Sequence, residues 1–362
     1  MKVALVHDWL NTKRGGAEKV LEVMAEAFPD APIYTLIHNQ ELFPYDRDRV
    51  HTSQLQRLPK HVKDRSRYTL PLIPSAIESW DFSDFDLVLS SSSAFTKNII
   101  TPETTHHICY CHTPARFVWD YWPQYLDEQN VGPIRRSYIR RQAKKFRLWD
   151  YAGAARVDAF LANSNTTAQR IEKFYRREAE VVHPPVEMPA KKDAVKEDYY
   201  ITLGMLTPYK KIDLAIEAFN ISGKKLKVIG DGPDYSRLKQ LAGDNIEFVG
   251  FLSRDEKDEV VAKAKGLVFP NKEDFGIAPV EAMALGTPVI AYGYGGVTET
   301  VSHGQTGIFF QQQTPKDLNQ AVDQVEETDF DVQKLRSQSE KFHTQRFVEK
   351  IKHHVALHDP SQ

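Results

Sequence analysis

The stretch from Asn271 to Ala291, NKEDFGIAPVEAMALGTPVIA, constrains the fold more than any other part of the chain. With the apolar run GLVFP before it, it reads strand, loop, helix, tight turn, strand. Asn271 to Phe275 is a polar loop and Gly276 opens the helix. Gly286-Thr-Pro288 ends that helix, because glycine suits a left-handed position after a helix and proline cannot continue one. Val289 to Ala291 resumes a buried strand. Glu273 stands in the loop and Glu281 in the helix, with seven residues between them. A carboxylate in a loop above a strand lies at the strand's C-terminal edge, where open α/β sheets bind ligands.

The same unit recurs along the chain. KVALVH is a buried strand, and the loop from Asp8 ends in Gly15-Gly16. A helix follows with Val20, Leu21, Met24, Ala27 and Phe28 on one face. The two glycines either let backbone N–H groups approach a phosphate at a helix N-terminus or simply make a tight turn. Further strands are expected at Ile33–Ile37, Asp86–Ser90, His106–Tyr110, Asp158–Asn163 and Glu180–His183. Ser164 caps a helix. Residues 46 to 75 read as a proline-dotted loop with a helical piece, made basic by Arg57, Lys60, Lys63, Arg65 and Arg67. Pro184-Pro185 closes this half, and 186 to 198, rich in charge and proline, reads as a linker. The pattern restarts at Tyr200, with strands at Lys225–Ile229, Ile246–Val249, Gly266–Phe269 and Gly307–Phe310. A chain of 362 residues exceeds one ordinary core. The expectation is an α/β protein of two doubly wound domains, 1–184 and 185–341, with the helix in 342–362 packing back on the first.

Composition narrows the function. Hydrophobic residues make up 41% and charged residues 27%, with a net charge of −2. Nothing here draws the whole molecule to nucleic acid, so any electrostatic function is local. No apolar run is long enough to span a bilayer, and the N-terminus enters a strand with no signal-peptide pattern. Cys109 and Cys111 flank Tyr110 on one strand and read as buried thiols in a reducing compartment. The expected location is the cytoplasm.

Several side chains fall where ligands bind. His112 lies at the C-terminal end of a strand, in the loop HTPAR beside Arg116. Residues 117 to 126, FVWDYWPQYL, are dense in aromatics and suit a cleft or a membrane interface. From Arg135 to Arg147 the chain is basic without an acid, and Ile139, Ala143, Phe146 and Trp149 share a helical face. Such a helix either rests on an anionic leaflet through Arg140, Arg141, Lys144, Lys145 and Trp149 or packs with a solvated basic face. Lys210 and Lys211 stand at the head of a helix, where a positive charge suits an anion better than it suits the helix.

Glu273-x7-Glu281 in EDFGIAPVEAMALGTPVIA, Lys210 in GMLTPYKK, ANSNTTAQRI with HPPVE, GDGP and GGVTETV together resemble the retaining nucleotide-sugar glycosyltransferases of family 4 over essentially the whole chain. VHDWL, GGAEK and CHTPARFVWDYW look more narrowly like bacterial mannosyltransferases of O-antigen or exopolysaccharide assembly. The resemblance implies the GT-B architecture, two Rossmann-like domains facing a cleft. It implies that Glu281 binds the donor ribose and Glu273 the donor sugar. The N–H groups of Phe275, Gly276 and Ile277 would take sugar oxygens and diphosphate, and Lys210 would neutralise the leaving diphosphate. His112 would sit by the reacting sugar, and Gly15-Gly16 would approach the phosphates.

One residue departs from the pattern: Met205 stands where the family often has an arginine, which leaves Lys211 as a candidate second cation. The implied reaction moves a hexose, mannose from GDP-mannose being the first expectation, to a lipid-linked or glycan acceptor. No cofactor and no metal are expected. The D-x-D pairs Asp46/Asp48, Asp84/Asp86 and Asp329/Asp331 are scattered as chance would have it. A UDP-sugar donor, a sugar-nucleotide epimerase and a non-catalytic sugar-nucleotide-binding protein are the alternatives. A dinucleotide oxidoreductase fits poorly, since neither first loop has G-x-G-x-x-G.

Overall fold

The computed structural model describes residues 1–11, 15–59, 63, 69–120, 122, 132–191 and 193–358. Lys60, Arg65, Arg67, residue 121 and residues 123–126 of the basic and aromatic stretches lie outside them. The chain forms two compact units, Met1–Pro185 with Phe347–Gln362, and Val186–Arg346.

The first unit is built on β1 (Val3–His7), β2 (Ile33–Thr35), β3 (Val50–Thr52), β4 (Leu87–Ser92), β5 (His106–Cys111), β6 (Ala159–Ala162) and β7 (Glu180–Val181). They form one sheet in the order β3-β2-β1-β4-β5-β6-β7, parallel throughout. Leu5, Leu89, Ile108 and Tyr110 line one face with Val20, Leu21 and Met24 of the helix Gly16–Ala27. Phe347, Ile351 and Val355 of the helix Thr344–Leu357 pack into the same layer. Ser164 caps the helix Asn165–Tyr175 by accepting from Thr167 N at 3.1 Å. β3 falls inside the stretch expected to be loop. Its sequence VHT carries too little apolar character to announce a strand, and it sits on the sheet edge, where only one neighbour is needed.

The basic helix runs Pro133–Ala154. Ala143 and Phe146 are buried, while Arg140, Arg141, Lys144 and Lys145 are exposed. Its only acid, Asp150, is fully buried. It receives the ammonium of the equally buried Lys97, the Trp119 indole N–H at 2.7 Å and the Tyr175 hydroxyl at 2.8 Å. A buried charge pair is kept only when its remaining lone pairs are satisfied, and here they are. This cluster ties the C-terminal half of the helix to the sheet.

The second unit contains β8 (Tyr200–Leu203), β9 (Leu226–Ile229), β10 (Ile246–Gly250), β11 (Leu267–Phe269), β12 (Val289–Tyr292) and β13 (Gly307–Phe310), in the order β10-β9-β8-β11-β12-β13 and again parallel. The stretch after Pro185 is not a loose linker. Val186 is buried and pairs with His343, and Lys196 donates to Thr287 Oγ1 and the Ala262 carbonyl, both at 2.8 Å. Lysine-rich composition resembles a linker, but here the ammonium satisfies buried acceptors.

Two of the D-x-D aspartates serve turns: Asp46 accepts from Asp48 N and Asp331 from Gln333 N. Asp86 accepts from Lys2 N. Both cysteines are buried, and burial pushes the Cys109 thiol up to about 12. Among the described residues no helix is long and apolar enough to cross a membrane.

Candidate active site

In an open α/β sheet the ligand crevice lies outside the strand ends where the winding reverses. In the second unit that point is between β8 and β11, because the chain runs outward one way through β9 and β10 and the other way through β12 and β13. The loops leaving β8 and β11 carry the residues singled out in the sequence.

Lys210 ends a tight 3₁₀ turn, Pro208–Lys210, and its ammonium rests on Glu273 Oε1. Burial pulls the Lys210 ammonium down to about 8, with Asp274 opposing. Glu273 is fixed by its backbone: it bridges to Gly295, and its carbonyl accepts from Gly296 N at 2.9 Å. Gly295 has φ +90, and a Cβ there would lie 2.4 Å from the Glu273 carbonyl oxygen. The glycines of GYGG therefore let one loop lie directly on the other.

Gly276, at φ +90, precedes the helix Ile277–Ala284, and no side chain caps it. The first-turn N–H groups have no intrahelical partner and carry the positive end of the helix dipole. The Phe275 side chain is buried and stacks edge-on against Phe342 at 5.4 Å, so its side chain is structural. Glu281, farther along the helix, accepts from Lys257 Nζ at 2.8 Å. Lys211 occupies a left-handed backbone position, φ 53, as the N-cap of the helix Ile212–Ser222. Its exposed side chain makes no ion pair among the described residues. Met205 is exposed.

In the first unit the winding reverses between β1 and β4. The apolar row Leu5, Leu89 and Tyr110 gives way, two residues farther along each strand, to His7, Ser91 and His112. His7 and Ser91 are directly opposed in register. Ser91 Oγ lies 3.1 Å from His7 Nδ1 and 2.8 Å from His112 Nε2. Burial of the His112 ring, then the neighbouring His7, lowers its pKa to about 3, with Glu18 opposing. The imidazole is therefore neutral at pH 7. The His112 carbonyl accepts from Asn163 Nδ2 at 2.8 Å, and its ring meets Tyr110 edge-on at 5.2 Å.

Gly15 N–H donates to Glu18 Oε2 at 2.8 Å, half of a capping box at the head of the helix Gly16–Ala27. Asp8, on the opposite face from His7, accepts from four successive amides, Ser93 to Thr96, at 2.7 to 3.0 Å. His7, Asp8, Glu18 and Ser91 were not picked out in the sequence. The available signals were the G-x-x-E spacing for Glu18 and the strand-end position for the others.

Arg116 pairs with Asp120 at 3.8 Å, and Asp120 also meets Arg170 at 3.4 Å. Trp149 lies on the face of the helix that carries Phe146, as the helical spacing implies. Its N–H donates to the half-buried Glu78 at Oε1, 2.8 Å away, and its ring packs on Phe146 at 5.1 Å. It lines an apolar groove of about 900 Å³ with Leu70, Phe117, Trp122 and Phe146, and Arg135 and Lys145 contribute charge at the same groove.

Residues 186–342 match the family model Glycosyl transferases group 1, and residues 14–188 match Glycosyltransferase Family 4. An uncharacterized glycosyltransferase of Methanocaldococcus jannaschii is 27% identical over 191 residues, 51% of this chain and 54% of that protein. A GDP-mannose-dependent alpha-(1-6)-phosphatidylinositol monomannoside mannosyltransferase of Mycobacterium tuberculosis is 32% identical over 126 residues, 30% of this chain and 33% of that one. The chain thus spans about half the length, or less, of these curated relatives. The Anabaena HepE structure in complex with UDP is 16% identical, covers 98% of this chain and 100% of its own, and superposes with a TM-score of 0.69, a likeness of fold. The two sheets have the GT-B fold, the two family matches adjoin to cover residues 14–342, and the chain carries the domains of the GT-B glycosyltransferases.

Proposed function

We propose that this chain transfers a hexose from a nucleoside-diphosphate sugar to a lipid-linked or glycan acceptor, with retention of configuration and without a metal. The observation that carries the reading is the meeting of Lys210, Glu273 and the uncapped Ile277 helix at the switch point of the second sheet. As the glycosidic bond breaks, the diphosphate gains negative charge, and preorganised N–H dipoles and an ammonium stabilise it. In the free protein Lys210 and Glu273 hold each other. Donor binding shifts Lys210 to the phosphates and frees Glu273 to accept sugar hydroxyls, while Glu281, steadied by Lys257, takes the ribose hydroxyls. Phe275, Gly276 and Ile277 contribute backbone N–H groups, Lys211 a second cation for the diphosphate, and Gly15-Gly16 backbone for the phosphates. His112 meets a hydroxyl of the transferred sugar.

The donor assigned first is GDP-mannose, in line with the mycobacterial relative described as GDP-mannose-dependent. UDP-sugars are the second reading, favoured by the Anabaena HepE complexes with UDP and UDP-glucose. For the acceptor, the apolar groove beside Arg135 and Lys145 suits a lipid carrying anionic groups, and Arg140, Arg141 and Lys144 suit an anionic membrane surface. Arg116 belongs to the acceptor side. The test is nucleoside diphosphate release from a panel of GDP-, UDP- and ADP-sugars, with and without polyprenyl-linked and oligosaccharide acceptors. Acceptor-dependent release with one base is expected; no turnover across the panel would sink the reading.

A further inference from the structure

GDGP, the loop leaving β9, lies backbone to backbone on the loop leaving β8, the strand beside it. Gly204 N–H donates to the Ile229 carbonyl and Leu206 N–H to the Asp231 carbonyl, both at 3.0 Å. Asp234 N–H donates back to the Leu206 carbonyl, also at 3.0 Å. Side chains are absent where the loops touch. A Cβ on Gly230 would fall 2.0 Å from the Gly204 carbonyl oxygen, and one on Gly232 would fall 2.4 Å from the Leu206 carbonyl oxygen. Gly204 and Gly230 both have positive φ, +144 and +132, which glycine adopts without strain. Leu206, between these contacts, is fully buried.

Lys210 closes back on this contact. The place a Gly204 Cβ would take is 3.8 Å from Lys210 Cε and 4.0 Å from its Nζ, so the end of the lysine side chain crosses the bare face of that glycine. The ammonium then rests on Glu273. Gly230 thus supports Gly204, and Gly204 supports Lys210. The far end of the segment is held as well. Arg237 grips Asp234 with two hydrogen bonds, at 2.6 and 2.7 Å, and reaches Asp213 at 3.1 Å. Asp213 lies in the first turn of the helix Ile212–Ser222, just after Lys210 and Lys211. A guanidinium fork of this kind fixes direction as well as distance. A lysine side chain is long and flexible, so its position is only as definite as the backbone beneath it and the partner at its tip.

We propose that Gly204, Gly230, Asp234 and Arg237 are positioning residues for Lys210. They fix the backbone on which its side chain lies, so that the ammonium is held at Glu273 and needs only a swing of its tip to meet an anionic oxygen of the donor. The use of the ammonium rests on the glycosyltransferase reading; its placement does not. Gly230→Ala tests the support directly, since the new Cβ displaces the Gly204 carbonyl. Arg237→Glu tests it from the other end. Arg237 is half-exposed, so the fold survives its replacement, and a carboxylate there repels Asp213 and Asp234 where the guanidinium drew them together.

The experiment is ¹H–¹³C correlation of the lysine Cε groups in the full chain at pH 7, with Lys210 assigned by its loss in Lys210→Arg. The two Hε protons of a lysine held in one place are inequivalent and give two signals; those of a freely rotating lysine merge into one. Lys196, held by Thr287 and the Ala262 carbonyl, is the internal control. Two Lys210 signals are expected in the native chain, merging in Gly230→Ala and in Arg237→Glu while the Lys196 pair stays split. A single Lys210 signal in the native chain, a pair that stays split in both variants, or merging of the Lys196 pair as well overturns the proposal. If Gly230→Ala does not fold, Arg237→Glu decides alone. Turnover supplies the second readout. Arg237→Glu is expected to lower kcat roughly tenfold in the native background and to have no effect in Lys210→Ala; an equal loss in both overturns the proposal. If no donor turns over but the Lys210 pair merges, the functional reading fails and the placement stands. If turnover is found and the pair stays split, the placement alone fails.

Discussion

Lys257 donates a 2.8 Å hydrogen bond to Glu281, joining the helix Arg254–Lys263 to the helix Ile277–Ala284. The pair is partly exposed, so its contribution to stability is about 1 kcal/mol at most. Its effect falls on ligand binding, because it holds the carboxylate assigned to the donor ribose. Glu281→Ala is expected to weaken the binding nucleoside diphosphate roughly tenfold, the loss of a charged hydrogen bond. Lys257→Met should have a smaller effect in the same direction. Isothermal titration with GDP and UDP measures both; unchanged affinity in Glu281→Ala refutes the assignment.

Lys210 gives a pH signature. Its ammonium is pulled down to about 8 by burial, so it is charged below that pH and loses its proton above it. Turnover that depends on the charged form falls as pH rises through about 8. In kcat/KM, which reports the free enzyme, the decline is roughly tenfold per pH unit. In kcat the limb moves to higher pH, since a bound diphosphate favours the ammonium. Lys210→Arg should abolish the limb, and Lys210→Ala should lower kcat by about a hundredfold while changing donor affinity less. Full turnover in Lys210→Ala would exclude the role.

Gly295→Ala tests the loop that supports Glu273. The new Cβ would meet the Glu273 carbonyl oxygen at 2.4 Å, from a left-handed backbone position. A destabilisation of about 2 kcal/mol or more is expected, read from the urea midpoint of unfolding. A variant as stable as the native chain would show that the two loops separate freely.

Acid stability follows from two histidines. His107 and His112 are both lowered from 6.5 to about 3, chiefly by burial. Below pH 6.5 the unfolded chain takes up protons that the native state refuses, so stability is full above that pH and is lost as pH falls towards 3. The slope is about 1.4 kcal/mol per pH unit for each fully buried histidine. His107 is the more buried and carries the larger share. Urea unfolding at pH 7, 6 and 5 should show the loss, and His107→Gln should reduce its slope; an unchanged slope assigns the effect elsewhere.

The basic helix offers a surface test. Arg140, Arg141, Lys144 and Lys145 are exposed, so changing all four to Gln should leave the melting temperature within a few degrees, as surface substitutions do. Sedimentation with phosphatidylglycerol vesicles should fall sharply if the helix docks on anionic lipid. Equal sedimentation of both proteins would leave the helix as scaffold.

Much of the fold was legible because buried parallel strands are short apolar runs, and the turns between them need glycine or proline. VALVH, LVF and GIFF stood out for that reason. β3 did not, since an edge strand of three residues has little to bury. Lys196 was read as linker because composition does not show that an ammonium has found Thr287 and a carbonyl. Helical spacing put Trp149 on the face of Phe146, but it could not show that its indole N–H donates to Glu78, 71 positions away.

By itself the sequence determined the repeated strand–loop–helix unit, the division into two halves, and the residue types beyond the strand ends, Lys210, Glu273 and His112, with Glu281 on the helix that follows Glu273. These depend on periodicity and on glycine and proline chemistry, which act over a few neighbouring residues. Only the tertiary structure decided who partners whom. Ser91 meets His7 across 84 positions, Lys257 meets Glu281 across 24, and Lys210 meets Glu273 across 63. Such pairs are set by strand order and register, and those follow from burying the whole apolar face of each sheet at once, not from any local stretch of chain.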